Sequence, residues 1–409
     1  MGKLFNDSLD EMLDNSNSIV ICDLCLKDSF LRDQASGKQC SNRRNVKSIN
    51  CVDCGQLSVK YLSAKEIATL IRRGLKDNYF NTNKDDCSGS EIYTLKEMLK
   101  YSTKIECDQI ICWIEHHLNK LDPSDFNSSY LYREVPPKYD SPEEYENHIK
   151  QLWDSKVKLL KHKHRFFNKE IIEFFDSLVK EAERAKKNDV SKISAVKYTT
   201  SKSSIFYRAR SAKNLKAESK IIASPETEFW APTVDLAADG RMSPRGIPFF
   251  YLASDTETSI AEVRPSLVDT VFVAEFESSK ELVFFDFAAF EGNYQFDELS
   301  IFDFAYKFRE SARAILGFIH QEIARPVNAE EMDYIFTQAL SEYISINTSY
   351  DGLTFKSVQN KTGRNFVVFN ANKESTDIFE AELKYRRYSK FNIESIEYKS
   401  SKVAQGLFG

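Results

Sequence analysis

A chain of 409 residues is long enough for two or three domains. With 42% hydrophobic and 29% charged residues it can build ordinary cores, and a formal net charge of −5 gives no global case for nucleic acid or an anionic membrane as partner. No apolar run reaches the roughly 20 residues of a membrane span, so no membrane partner is expected.

The first stretch, "MGKLFNDSLDEMLDN", is acidic and lacks the apolar core of a signal peptide. It starts Met-Gly but puts Asn6 where a myristoylation signal has Ser or Thr. The expectation is a cytoplasmic protein whose eight cysteines are reduced or metal-bound, not joined in disulfides. Four of them form two knuckles, Cys22-x2-Cys25 and Cys51-x2-Cys54, with a spare Cys40 between. Two such knuckles satisfy one tetrahedral Zn2+, and a site closed by four sulfurs holds a fold and does no chemistry. Unligated thiols and a redox pair are the other readings of the same spacing. Residues 1–59 are therefore expected as a small zinc-ribbon-like segment.

Residues 60–190 read as an all-α helical domain. Ser63 and Glu66 form a capping box ahead of Ile67, Leu70 and Ile71. "CDQIICWIEHHLNKL" repeats the helical spacing. "SPEEYENHIKQLWDSKVKLL" opens with Ser141 as cap, Pro142 at the first helical position and Glu144 closing a second box. A break near "RFFN" splits the long run that follows. His162 and His164 lie two apart, on different sides of a helix, so they predict a solvated basic face and no ligand pair. The polar, Lys- and Ser-rich residues 182–204 read as a linker.

From residue 205 the character changes to α+β. "IFYRAR", "IPFFYLAS", "TVFVAEFE", "ELVFFDF", "LTFKSV" and "NFVVFNA" read as strands between turns. One helix follows Ser254, with Glu257 as its capping-box partner, and a larger helical region lies between about 295 and 345. Phe229 and Trp230 read as packing residues, with base-stacking as the alternative. In "GRMSPRGIPFFYLASDTETSIAEV", Gly240 and Gly246 permit turns, Tyr251 ends a strand, and Glu262 lies about two turns into the following helix. A strand-to-helix turn of this kind can bring the tyrosine and the carboxylate to one cleft. Arg208 comes from another strand and Ser357 from beside a hairpin. Arg208 and Arg241 suit a pyrophosphate, Tyr251 offers a ring face and a hydroxyl, and Glu262 can hold a ribose hydroxyl and stabilise positive charge growing at the sugar carbon.

These segments closely resemble the RES family, named for its Arg, Glu and Ser. Arg241 to Tyr251 is ten residues and Tyr251 to Glu262 is eleven, as in the family pattern; "FYRAR" resembles its first arginine motif and "LTFKSV…GRNFVVF" its serine motif. The resemblance covers about 204–400, and it sets a RES domain at 196–409 with a fold like that of ADP-ribosyltransferases. It implies a toxin or bacterial-defence enzyme that consumes NAD+ by hydrolysis or phosphorolysis of the nicotinamide–ribose bond. Arg208, Arg241 and Tyr251 would bind the substrate; Glu262, Tyr251 and Ser357 would be catalytic. Transfer of ADP-ribose to a macromolecule and a non-catalytic nucleotide-sensing scaffold are the alternatives. Ser243 departs from the family's usual Asn, and the long interval from Glu262 to Ser357 holds an inserted helical region. The front half is similar to the helical HEPN-type domain that precedes some RES domains. No Arg–His pair of ribonuclease spacing occurs before residue 190, and Arg313 with His320 reads as coincidence. The resemblance thus implies a regulatory front half, a homodimer through it, and a protein antitoxin or other regulatory partner.

Overall fold

A computed structural model of the protein describes residues 19–37, 48–82, 91–135, 141–162, 168–187, 193–291, 294–324, 334–369 and 383–395. Cys40, His164 and the "RFF" of 165–167 lie outside them. The chain divides into two compact units, Met1–Tyr145 with Glu298–Glu310, and Glu146–Asp297 with Ser311–Gly409. Among the described residues no helix is long and apolar enough to cross a membrane.

In the first unit, four short strands frame the cysteine knuckles: β1 (Val20–Cys22), β2 (Ile49–Asn50), β3 (Leu57–Ser58) and β4 (Tyr61–Ser63). β1 pairs with β4, and β2 with β3, both antiparallel. The helix Ala64–Asn78 begins at the expected capping box: Glu66 N donates to Ser63 Oγ, and Ser63 N donates back to Glu66 Oε2 at 2.9 Å. Its apolar stripe of Ile67, Ile71 and Leu75 is fully buried, against Ile110, Ile114 and Leu118 among others from the helix Asp108–Leu121. Flanking the second of these helices in the chain are β5 (Tyr79–Thr82), β6 (Tyr93–Thr94) and β7 (Leu131–Glu134), a three-stranded antiparallel sheet in the order β5-β7-β6. The region 60–190 is therefore not all-α. These segments are two to four residues long, too short for alternation to declare them, and they become strands by pairing with one another.

The second unit is built on an eight-stranded sheet. Its strands are β8 (Lys197–Thr200), β9 (Ile205–Ala212), β10 (Phe250–Ala253), β11 (Thr270–Ser278), β12 (Leu282–Asp286), β13 (Gly352–Lys356), β14 (Arg364–Val368) and β15 (Leu383–Asn392). The order is β15-β11-β9-β10-β14-β13-β12-β8. Every pair is antiparallel except β12 with β13. A parallel pair needs a crossover, and the inserted region between these two strands supplies it with the helices Tyr306–Ala324 and Ile335–Asn347. β8 lies inside the segment expected as a linker; Tyr198 packs on Phe366 at 5.9 Å, and the strand pairs with β12.

Alternation along the strands makes two cores. Phe206, Phe250, Phe272, Phe284 and Phe366 gather with Phe229 and Trp230 in one. Tyr251, Leu353, Phe355 and Val367 belong to the other, which also takes in the helices Pro142–His162 and Lys169–Arg184 and the two crossover helices. Phe336 is fully buried there, with its ring 4.1 Å from Trp153 and 5.3 Å from Phe175. Each side chain of this size contributes roughly 1.5–3 kcal/mol by leaving water. Arg313 donates Nε to Glu181, which also accepts from Arg184, so Arg313 is held in a buried ion pair.

Candidate active site

β9 and β10 share a single paired position, Ala253 opposite Tyr207. The two strands part beyond it, and a cleft opens at the gap. Arg208 Nη1 bridges the opening by donating to the Tyr251 carbonyl at 2.7 Å. The guanidinium lies over the Phe250 ring at 5.1 Å. Burial holds Arg208 well below the usual arginine range, and the neighbouring Arg210 adds to the effect. Part of the Arg208 side chain faces the cleft, but its Nε is closed off and finds no partner among the described residues.

Arg208, Arg210, Arg241, Tyr251, Glu262 and Asn365 all line one compartment of about 360 Å3. Each reaches it by a different route. Glu262 is the last residue of the helix Thr256–Glu262, whose Ile260 packs on Ala209, Val271 and Val273. The helix starts one residue later than the sequence suggests: Asp255, not Ser254, caps it by accepting from Thr258 N at 2.7 Å. Ser254 Oγ instead donates to Asp255 and accepts from Arg364 N, tying the helix start to β14. Gly363 lies so close to Thr258 that any Cβ would overlap its side chain, which seats the β13–β14 turn on the same helix.

Among the described residues the Glu262 carboxylate is held at one oxygen only. Ser357 Oγ and Asn365 Nδ2 both donate to Oε1, each at 2.7 Å. Ser357 and Asn365 are buried, while Glu262 is exposed to the cleft. Ser357 in turn accepts from the backbone N–H groups of Gln359 and Asn360. It touches the carboxylate rather than the open cleft. Asn365 escapes sequence reasoning, although it lies within the "GRNFVVF" run; strand alternation that sends Phe366 into one core sends Asn365 to the face of Tyr251 and Val367.

Tyr251 is fixed at its hydroxyl. Met242 N donates to it at 3.2 Å, and Ser243 Oγ shares a hydrogen bond with it at 2.9 Å. Ser243 therefore does positioning work although it replaces the usual Asn. Burial raises the Tyr251 phenol above its ordinary range, an effect these bonds partly offset. A Cβ on Gly240 would stand 2.6 Å from the same hydroxyl, so the glycine is required by close approach. The loop Gly240–Ser243 is itself held from the crossover helix Ile335–Asn347: Thr337 Oγ1 donates to the Arg241 carbonyl at 2.6 Å, and Gln338 Nε2 to the Gly240 carbonyl at 2.9 Å. Above the start of that helix the Arg241 guanidinium lies over the Tyr334 ring at 5.8 Å. No sequence signal marks Thr337 or Gln338, because their partners are backbone carbonyls nearly a hundred residues away.

In the first unit, the sulfurs of Cys22, Cys25, Cys51 and Cys54 all lie within 4.8 Å of one another. Cys22 Sγ and Cys54 Sγ are 3.8 Å apart. A tetrahedron with bonds of about 2.3 Å has edges of about 3.8 Å, so the donor set fits a four-sulfur metal site. Burial opposes ionisation of Cys51, but N–H donors from Cys54, Cys22 and Asp53 outweigh it and hold the thiol at about 7. Burial pushes the Cys22 and Cys25 thiols up.

No curated protein and no solved structure matches the chain. The model of one family, the RES domain, does match at residues 206–389, a segment that begins in β9, spans every residue of the cleft and ends in β15.

Proposed function

We propose that the RES domain consumes NAD+ by breaking the bond between nicotinamide and ribose. The observation that carries this reading is the Glu262 carboxylate, pinned at Oε1 by Ser357 and Asn365, in a compartment it shares with Arg208, Arg241 and Tyr251. With one oxygen fixed, the other is presented to the cleft. It can accept from a ribose hydroxyl and stabilise the oxocarbenium-like charge that grows at the anomeric carbon as nicotinamide departs with the bonding electron pair. Water or inorganic phosphate then attacks that carbon. The arginines oppose the pyrophosphate charge, the Tyr251 ring borders the leaving group, and Ser357 acts by orienting Glu262. The phenol stays protonated at neutral pH, so Tyr251 serves as a hydrogen-bonding and packing group there, not as a base.

The four-cysteine cluster is proposed to hold structural Zn2+ through Cys22, Cys25, Cys51 and Cys54, where the ion would cross-link β1 to the turn after β2. With four sulfurs it has no open position for substrate.

The test is incubation of the purified chain with NAD+, with and without phosphate, following nicotinamide and its partner product by chromatography. Free nicotinamide together with ADP-ribose or its 1-phosphate supports the reading and names the acceptor. NAD+ that stays intact in the presence of folded protein rules it out.

A further inference from the structure

A second compartment, of about 600 Å3, shares Arg208, Arg210 and Tyr251 with the first. Its walls are of a different kind. Pro232, Leu236, Ile247 and Phe249 make an apolar surface, with Trp230 behind and Lys220 at the edge. Trp230 is closed into the core against Phe250, with ring centroids 5.3 Å apart, so it forms a wall and not a free stacking platform. A mainly apolar space with a few polar groups, of several hundred Å3, suits a nucleoside.

The border between the compartments is the unusual feature. Arg208 and Arg210 stand two apart on one strand, both depressed by burial. Among the described residues neither is paired with a carboxylate: Arg208 donates to the Tyr251 carbonyl, and Arg210 donates Nε to the Glu228 carbonyl. The nearest acid, Glu228, is engaged with Lys220 at 2.8 Å. Two adjacent, largely buried cations held only by neutral acceptors are costly to the free protein, and an anion between them would relieve the cost. An anion at this border has space for one nucleoside half on either side.

We propose that the second compartment seats the nucleoside diphosphate half of a dinucleotide, with its phosphates at Arg208 and Arg210, while the scissile half lies beside Glu262. This rests on the reading of the cleft as an NAD+ site and adds Arg210 and the Pro232–Phe249 wall to it. The protein is then selective for dinucleotides over nicotinamide mononucleotide.

The experiment uses the full chain and titrates ADP, a fragment with no scissile bond, by calorimetry. Wild type, Arg210→Gln and two space-filling variants, Ala238→Trp and Thr233→Trp, are compared. Ala238 and Thr233 are exposed residues of the second compartment, and circular dichroism checks that each variant folds. ADP is expected to bind wild type, to weaken about ten- to a hundredfold in Arg210→Gln, and to weaken at least about tenfold in both filled variants. The preference for NAD+ over nicotinamide mononucleotide in nicotinamide release is expected to collapse in the filled variants. Unchanged ADP affinity in both folded tryptophan variants overturns the proposal, as does nicotinamide release from NAD+ by a protein that does not bind ADP. ADP binding with the expected pattern but no nicotinamide release supports the compartment and rejects the reaction.

Discussion

Replacing Glu262 by Gln isolates what its charge does. The amide has the same shape, and its oxygen can still accept from Ser357 and Asn365, so the helix end and the cleft keep their geometry. Only the negative charge is lost. A carboxylate about 4 Å from a developing positive charge is worth about 4 kcal/mol at the effective dielectric near a protein surface, and about 1 kcal/mol in bulk water. Glu262 is exposed to the cleft, so the free protein lies toward the second limit and a substrate-filled cleft toward the first. At 1.36 kcal/mol per decade, the two limits are about fivefold and about a thousandfold in rate. Glu262→Gln is therefore expected to lower kcat within that interval, nearer a thousandfold, with KM and melting temperature little changed. Nicotinamide release under saturating NAD+ measures it. A folded variant that loses less than about fivefold would falsify the electrostatic role, and a rise in KM at constant kcat would reassign Glu262 to ground-state binding.

Gly363→Ala forces a methyl group into the buried Thr258 side chain and is expected to destabilise the protein by about 1–3 kcal/mol; an unchanged melting temperature would mean that the turn does not rest on the Glu262 helix as described. Asp28 is buried, and burial raises its carboxyl above the ordinary value of 3.8 against the N–H of Leu31 and the hydroxyl of Ser300. The folded chain thus holds this proton more tightly than the unfolded one. The Asp28 contribution to stability is greatest below the ordinary value and falls as pH rises through the raised one. Asp28→Asn is expected to melt higher than wild type at neutral pH, with the difference vanishing in acid; a lower melting temperature at both ends contradicts this. Full-length protein purified without chelator is expected to carry about one zinc per chain by elemental analysis, released on blocking the thiols, and Cys25→Ser with Cys54→Ser to carry none; metal retained by the double variant assigns it elsewhere.

The sequence carries the candidate site in its spacing and hides that site's supports. Arg241, Tyr251 and Glu262 are legible because a strand, a tight turn and a helix follow one another within 22 residues, and short local units keep their geometry wherever they are placed. Asn365 is not legible, since a single polar residue in an apolar strand gains meaning only when the strand lies opposite β10. β8 and β15 escape notice for another reason. "KYTT" and "LKYRRYSKFN" are polar edge strands with one face solvated, and their Lys and Arg residues read as linker or surface. The crossover demanded by the β12–β13 parallel pair could not be read either, because strand order is set by tertiary packing and leaves no local pattern. The helix start at Asp255 instead of Ser254 is a shift of one residue, the ordinary uncertainty of a boundary between two good capping types.

The hold of Thr337 and Gln338 on Gly240 and Arg241 is a hold on carbonyl oxygens. Every residue type brings the same carbonyl, so these two bonds do not themselves read the loop's side chains. Drift at the exposed position 245 leaves these two bonds where they are, whereas a change at 337 or 338 releases them. Part of the constraint that keeps this loop in register thus lies on a helix outside the motif, beside the constraints the loop carries itself at Gly240 and Ser243.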